Sequence, residues 1–114
     1  MPIKARRLAL FGVPYHIVSR GNHQETIFSN RKDYEKFLAL IAEAKEEFHF
    51  SLYHYALMPN HIHLMIHPKK DEDLKWIMQK IKHKYSIYIK RLTKMPGHLW
   101  EGRSRRSQHQ DLKM

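Results

Sequence analysis

The chain has 114 residues and a mass of 13.8 kDa, which fits one domain that buries about two thirds of its unfolded surface. It contains no cysteine, which excludes disulfides and thiolate zinc sites and suits a reducing compartment. The sequence has no apolar run long enough to span a membrane and no apolar N-terminal stretch of the signal-peptide kind. We therefore expect a cytoplasmic protein without a membrane partner.

The formal net charge of +10 is unevenly distributed along the chain. Residues 1–74 carry 10 Lys and Arg against 9 Asp and Glu, whereas residues 75–114 carry 11 against 2. Such a basic segment is typical of a surface that meets a polyanion, and nucleic acid is favoured over an anionic membrane. A lysine-rich solvated helix face is the alternative.

The first half of the chain predicts an arm, a strand and a helix. Residues 1–12 mix basic and apolar side chains and are expected to form an N-terminal arm. Residues 13–20 alternate as a strand does, and Gly21 and Asn22 close it. Ser29 or Asn30 is predicted to cap a helix with apolar positions at Tyr34, Phe37, Leu38, Ile41, Ala42 and Phe48.

A hairpin is predicted next, with residues 51–58 as its first strand and Pro59-Asn60 as a two-residue connection to a second strand. This loop length sets the pairing of the two strands. The expected opposite pairs are Met58 with His61, Leu57 with Ile62, Ala56 with His63, and His54 with Met65.

The second strand presents two histidines on one face. Side chains alternate in a strand, so His61 and His63 point the same way as Met65 and His67, while Ile62, Leu64 and Ile66 point into a core. Two neutral imidazoles held side by side can share one metal ion. Solvated surface histidines are the alternative, because a chain with ten histidines produces this spacing by chance.

A long amphipathic helix is predicted from Leu74 to the vicinity of Pro96-Gly97, after an acidic trio that suits its N-terminal dipole. A short strand is expected around residues 99–102. The order strand, helix, strand, strand, helix predicts an α+β fold, a ferredoxin-like sandwich with a mostly antiparallel sheet and two helices on one face. The histidines would lie on the opposite, open face.

Four segments, in this order, resemble the single-tyrosine HUH transposases, in particular the REP-associated tyrosine transposases. The segments are Tyr-His-Ile-Val-Ser-Arg-Gly-Asn (15–22), Ile-Phe with Asp-Tyr-Glu-Lys-Phe-Leu (27–28 and 33–38), Met-Pro-Asn-His-Ile-His-Leu (58–64) and Leu-Trp-Glu-Gly-Arg (99–103). The histidine strand is the most specific of them. The resemblance implies a domain over residues 13–103 that binds single-stranded or hairpin DNA.

Cleavage and rejoining of DNA are what the resemblance implies as chemistry. His61 and His63, with a third polar ligand, would hold Mg²⁺ or Mn²⁺ at the scissile phosphate. A tyrosine on a later helix would attack the phosphorus and form a 5′-phosphotyrosine link. The expected DNA contacts come from the family's first-strand turn and from the basic segments of this chain. They are Arg20, Asn22, Lys82, Lys84, Arg103, Arg105 and Arg106.

The C-terminus departs from the family pattern, because the helix with the nucleophile is not recognisable after Arg103. We expect residues 104–114 to be a divergent basic tail of a truncated copy. Tyr85 and Tyr88 are weak substitute nucleophiles, since both fall on the apolar stripe of the long helix. Weak candidates for the third metal ligand are Gln79, His83, Gln108, His109 and Gln110.

The sequence thus predicts a transposase-family protein that binds DNA and a divalent metal without cleaving the strand. A non-enzymatic module that binds single-stranded nucleic acid for regulation is the alternative, and a nuclease that uses Tyr85 or a tail residue is a third hypothesis. The sequence leaves open whether the chain acts as a homodimer.

Overall fold

The computed structural model describes residues 14–94 and 97–102, and the backbone of residues 105–108. Its elements are β1 (Tyr15–Arg20), a 3-10 turn (Asn22–Gln24), α1 (Arg31–Phe48), β2 (Ser51–Met58), β3 (His61–His67), α2 (Asp73–Thr93) and β4 (Arg105–Gln108). The strands form one sheet in the order β2-β3-β1-β4, and every neighbouring pair is antiparallel. This order and topology confirm the predicted ferredoxin-like α+β fold.

The hairpin forms with the predicted register. Met58 lies opposite His61, Leu57 opposite Ile62, Ala56 opposite His63, and His54 opposite Met65. A bulge between Leu52 and His54 shifts the pairing only beyond this stretch.

Residues at the ends of both helices satisfy free backbone groups. The Asn30 side chain accepts a hydrogen bond from the Asp33 backbone N–H, and the Asp33 carboxylate accepts one from the Ser29 N–H at 2.8 Å. The first of these bonds makes Asn30, and not Ser29, the N-cap of α1. The residues that follow α1 and α2, His49 and Lys94, each adopt the left-handed conformation that ends many helices.

Both helices cover the same face of the sheet. Ile62, Leu64 and Ile66 of β3 are fully buried in the cluster that contains Phe37 of α1 and Ile81 of α2. The alternate β3 residues are half-buried, as are His16 and Val18 of β1 on the same side, and Arg20 is exposed. The sheet therefore has one face in the core and one open face, as predicted.

The last part of the chain differs from the expectation. Residues 99–102 contribute only a single bridge between Gly21 and Trp100, and the fourth strand lies at residues 105–108. Leu99 is buried, and the Trp100 indole donates a hydrogen bond to the Lys82 carbonyl at 3.1 Å, so this segment is held against α2 as well as bonded to the end of β1. The folded unit thus extends beyond residue 103, into the segment expected to be a divergent tail. The predicted arm and residues 109–114 lie outside the described residues.

Within the described part of the chain, neither helix is long and apolar enough to cross a membrane.

Candidate functional site

Two imidazole rings stand side by side on the open face of the sheet. The ring centres of His61 and His63 are 5.0 Å apart, and the ring planes are nearly perpendicular, at 76°. Both side chains are half-buried, while Ile62 between them is fully buried on the other face. The core therefore holds the strand from behind and leaves both rings accessible.

The Asn60 side chain determines which nitrogen of His61 carries the proton. Nδ1 of His61 lies 2.8 Å from Oδ1 of Asn60. Because an amide oxygen only accepts, Nδ1 is the donor, and the lone pair of the neutral ring is on Nε2. Burial, the neighbouring His63 and the charge of Arg20 lower the pKa of His61. The neutral ring that a metal requires is therefore favoured.

A third histidine, which no sequence motif indicates, lies at this site. Nε2 of His16, on β1, lies 3.2 Å from Nδ1 of His63, and the two rings stack with their centres 5.2 Å apart and their planes at 15°. The signal in the sequence was alternation along β1, which places His16, Val18 and Arg20 on one face. The alternation alone does not predict that His16 lies beside His63, because it does not show that β1 pairs with β3.

The donor set of His61 and His63 fits a divalent metal ion. Rings whose centres are 5.0 Å apart can each place a nitrogen about 2.1 Å from one shared ion. Among the described residues, no group of three or more His, Asp and Glu side chains could hold an ion together. Two histidine ligands would leave coordination positions open for oxygen ligands such as water or a phosphate.

Backbone hydrogen bonds bring the other predicted motifs to the same end of the sheet. The Gly21 N–H donates to the Asn60 carbonyl at 2.9 Å, which joins the end of β1 to the hairpin turn. On the other side, the Asn22 N–H donates to the Leu99 carbonyl and the Glu101 N–H to the Arg20 carbonyl, each at 2.8 Å. Three segments that are distant in sequence thus form one connected surface beside His61.

The electrostatics of the open face favour an anion. None of the strands β1, β2 and β3 contains an Asp or Glu. Arg20 is exposed and lies directly opposite His61 in the strand register. A phosphate group that approaches the histidine pair from this side therefore meets Arg20 and no strand carboxylate.

The structure separates the predicted DNA contacts into two sets. Arg20 and Asn22 lie at the histidine end of the sheet, whereas the two lysines lie on α2, on the other side. Lys82 is half-buried, burial lowers its pKa, and its Nζ lies 5.2 Å from the centre of the Trp100 ring. Lys84 forms an ion pair with Glu43 of α1. Only the backbone of Arg105 and Arg106, in β4, is described, and Arg103 lies outside the described residues.

Lys82 lines a cavity of about 760 Å³ between α2 and residues 98–102. Gln79 and His83, two of the weak ligand candidates, also line this cavity and so lie on the helix side of the sheet. Gln108 pairs with Tyr15, at the end of β1 farthest from His61. His109 and Gln110 lie outside the described residues.

The structure supports the interpretation of Tyr85 and Tyr88 as structural aromatics. Tyr85 is fully buried, burial and the nearby Asp33 raise its pKa, and its hydroxyl donates to the Ile27 carbonyl at 2.6 Å. The Tyr88 hydroxyl donates to the Asp33 carboxylate at 3.1 Å, and its pKa is also raised by burial and by that hydrogen bond. Both residues lie in the helix layer, so the sheet separates them from His61 and His63.

The sequence model of the IS200-like transposases matches residues 9–107. The chain belongs to this family. The match includes the three motifs that meet at the histidine end of the sheet, and it extends through most of β4. A search of curated proteins finds no match.

Two solved structures share this transposase fold. One is a REP-associated tyrosine transposase bound to a REP hairpin, with a TM-score of 0.71 and 16% identity, covering 98% of this chain and 67% of that one. The other is a candidate transposase from Deinococcus radiodurans R1, with a TM-score of 0.69 and 14% identity, covering 97% of this chain and 92% of that one. At these identities the similarity establishes the fold.

Proposed function

We propose that this transposase-family chain binds single-stranded or hairpin DNA on the open face of its sheet, together with Mg²⁺ or Mn²⁺ held by His61 and His63. The observation that carries the proposal is the pair of accessible imidazoles, 5.0 Å apart, on a face whose three strands contain no carboxylate. A structural neighbour bound to a DNA hairpin supports the choice of partner.

Each residue of the site has a distinct task in this proposal. His61 and His63 bind the ion, which when bound would polarise a phosphodiester oxygen. Arg20, opposite His61, contacts the neighbouring phosphate, and Asn22 follows it in the turn beside the pair. These contacts position the DNA backbone without reading its sequence.

We further propose that these 114 residues bind DNA without forming a phosphotyrosine link. All six tyrosines lie in the described part of the chain. Five of them are away from the histidine pair, because they lie in the helix layer, on the core face of the sheet or at the sheet edge. Tyr53 is on the open face, but its hydroxyl contacts His67, four residues or about 13 Å along β3 from His63. No tyrosine oxygen is therefore in place to attack a phosphate at the histidine pair.

The metal site is tested by titrating Mn²⁺ into the protein and measuring affinity by calorimetry. The double variant His61→Ala/His63→Ala should lose Mn²⁺ binding and keep its melting temperature, because both rings lie outside the core. His54→Ala, on the same face of β2, is the matched control and should bind Mn²⁺ normally. Equal Mn²⁺ affinity in the double variant and the native chain would contradict the proposal.

DNA binding and cleavage are separated by incubating the protein with hairpin-bearing single-stranded DNA and Mn²⁺. We expect a retarded complex on a native gel and no covalent adduct on a denaturing gel. An adduct that disappears in Tyr85→Phe or Tyr53→Phe would show that this chain does contain a nucleophile. Binding of DNA that is unchanged by Mn²⁺ and by loss of both histidines would instead favour a metal-independent regulatory module.

A further inference from the structure

We propose that His16 is a positioning residue that fixes the tautomer and ring orientation of His63, so that Nε2 of His63 carries the lone pair for the metal ion. The inference rests on the proposed function, since it assigns a role to a neighbour of the proposed ligand. It depends on a contact between two strands that no sequence motif predicts.

The contact is set by the pairing of two central strands. Val18 of β1 lies opposite His63, so His16 is the diagonal neighbour of His63 on the same face. The two rings stack at 15°, and Nε2 of His16 lies 3.2 Å from Nδ1 of His63. Ile17 and Leu64, on the other face, are buried, so the core holds both strands in this register.

The strand on the other side of β3, β2, offers no hydrogen-bond partner directly opposite His63. On β2 the residue opposite His63 is Ala56, whose methyl group neither donates nor accepts a hydrogen bond. The contact of His63 Nδ1 is instead with Nε2 of His16, on the β1 side. Directly opposite His63 on β2, Ala56 adds no bulky side chain.

The hydrogen bond between His16 and His63 has two proton arrangements, and only one suits a ligand at Nε2. If Nε2 of His16 donates, the proton of neutral His63 lies on its own Nε2, and that nitrogen has no lone pair for an ion. If Nδ1 of His63 donates, Nε2 of His63 is free to coordinate, and His16 carries its proton on Nδ1. We assign the second arrangement.

The assignment makes the two proposed ligands equivalent. The Asn60 oxygen already requires His61 to donate from Nδ1, which leaves Nε2 as its coordinating atom. With His16 as the acceptor, His63 follows the same pattern. Metal-binding histidines commonly donate their second ring N–H to a neighbouring acceptor, and loss of that acceptor weakens metal binding about 10- to 100-fold.

The tautomer is tested directly, in protein without metal, by nitrogen NMR of ¹⁵N-histidine-labelled chain near pH 8. We expect the His63 signals of a ring protonated at Nδ1 in the native chain. In His16→Phe, which keeps a planar ring but removes the acceptor, this preference should be lost. A native His63 that is protonated at Nε2 would overturn the inference whatever the variants do.

Metal affinity supplies the second readout. His16→Phe should bind Mn²⁺ about 10-fold or more weakly than the native chain. His16→Gln, whose side-chain oxygen can reach the position of Nε2, should retain most of the affinity. His54→Phe, the same substitution elsewhere on the open face, should leave Mn²⁺ binding unchanged.

The outcomes separate the inference from the function on which it rests. If native protein binds Mn²⁺ through His61 and His63 but His16→Phe binds equally tightly, the role of His16 is refuted and the metal site stands. If the native chain does not bind Mn²⁺, or binds it equally after loss of both ligands, the metal site itself is refuted. If His16→Phe fails to fold, the tautomer of His63 in the native chain and the Mn²⁺ affinity of His16→Gln still test the role of His16.

Discussion

The Tyr85 hydroxyl is a polar group buried in an aromatic cluster of the core. Its ring contacts Phe28, Phe37 and Trp100, and its hydroxyl satisfies the Ile27 carbonyl. Tyr85 thereby connects α2 to the segment that leads from the 3-10 turn into α1. The residue that the family resemblance raised as a substitute nucleophile is a structural link.

This burial predicts a specific alkaline sensitivity. Tyr85 stays protonated in the folded chain above pH 10, because its pKa is raised, whereas it ionises near pH 10 when the chain unfolds. Unfolding then releases a proton, so the free energy of unfolding falls as pH rises above 10, by up to about 1.4 kcal/mol per pH unit. Urea denaturation at pH 8 to 11 measures this slope.

The matched variants for this measurement are Tyr85→Phe and Tyr55→Phe. Tyr85→Phe should show a shallower decline above pH 10, and at pH 8 it should be less stable by about 1–2 kcal/mol because the Ile27 carbonyl loses its donor. Tyr55 is exposed, so Tyr55→Phe should follow the native curve. Identical slopes for the native chain and Tyr85→Phe would show that Tyr85 is not the group responsible.

Single residues also show what the sequence could and could not predict. His61 and His63 were predictable, because alternation along one strand and a two-residue loop are local properties. His16 was not, because its role depends on β1 lying beside β3, and the strand order of a sheet is a property of the whole fold. The proton arrangement on His61 likewise depends on how the Asn60 side chain is oriented.

Among the structural elements, the turn at Gly21 carries the most connections. Gly21 forms a bridge with Trp100 and donates to the Asn60 carbonyl, so the chain passes closely between two other segments. A Cβ atom at this position would collide with the Glu25 carbonyl oxygen and come within 2.9 Å of the Ile27 side chain. Glycine is required here because a side chain would not fit, and not because the backbone adopts an unusual φ.

We predict that Gly21→Ala lowers the free energy of unfolding by about 1–3 kcal/mol, since backbone atoms must shift to accept the methyl group. DNA binding should weaken as well, because the same turn carries Arg20 and Asn22. Gly102→Ala is the control, since a Cβ there meets nothing within 4 Å. Denaturation and gel retardation of both variants check the prediction, and equal behaviour would contradict it.

At the level of elements, the helices and the hairpin followed from the sequence, and the fourth strand did not. The stripe of apolar residues in α2 and the cap of α1 are signals within one element. β4 has a polar, basic sequence, Arg-Arg-Ser-Gln, without the apolar alternation that marks a strand. It pairs with the edge of β1, and no local pattern in the sequence indicates that pairing.

Among the described side chains of the molecule, positive charge is distributed between two sides of the sheet. The open face carries Arg20 and the histidines, while α2 carries most of its lysines on the helix side, where Lys80 and Lys84 pair with Glu47 and Glu43. Net charge alone therefore overstates how much of the basic segment is available at the proposed DNA site.

The salt dependence of DNA binding tests this distribution. Each phosphate contact to a single strand contributes about 0.7 to the slope of log affinity against log salt. Arg20→Ala should reduce the slope by about that amount, whereas Lys84→Ala should leave it unchanged because Lys84 is paired on the helix side. A larger effect for Lys84 than for Arg20 would place the DNA on the helices instead of the open face.

The turn of the β2–β3 hairpin is bound to the segment that precedes α1. The Pro59 carbonyl accepts hydrogen bonds from both the Ile27 and Phe28 N–H groups, and the Asn60 carbonyl accepts one from Gly21. The tip of a two-strand hairpin usually frays on its own and tolerates inserted residues. Here three amides that precede α1 bind it, so the loop next to His61, a proposed metal ligand, loosens only if the entry to α1 detaches with it.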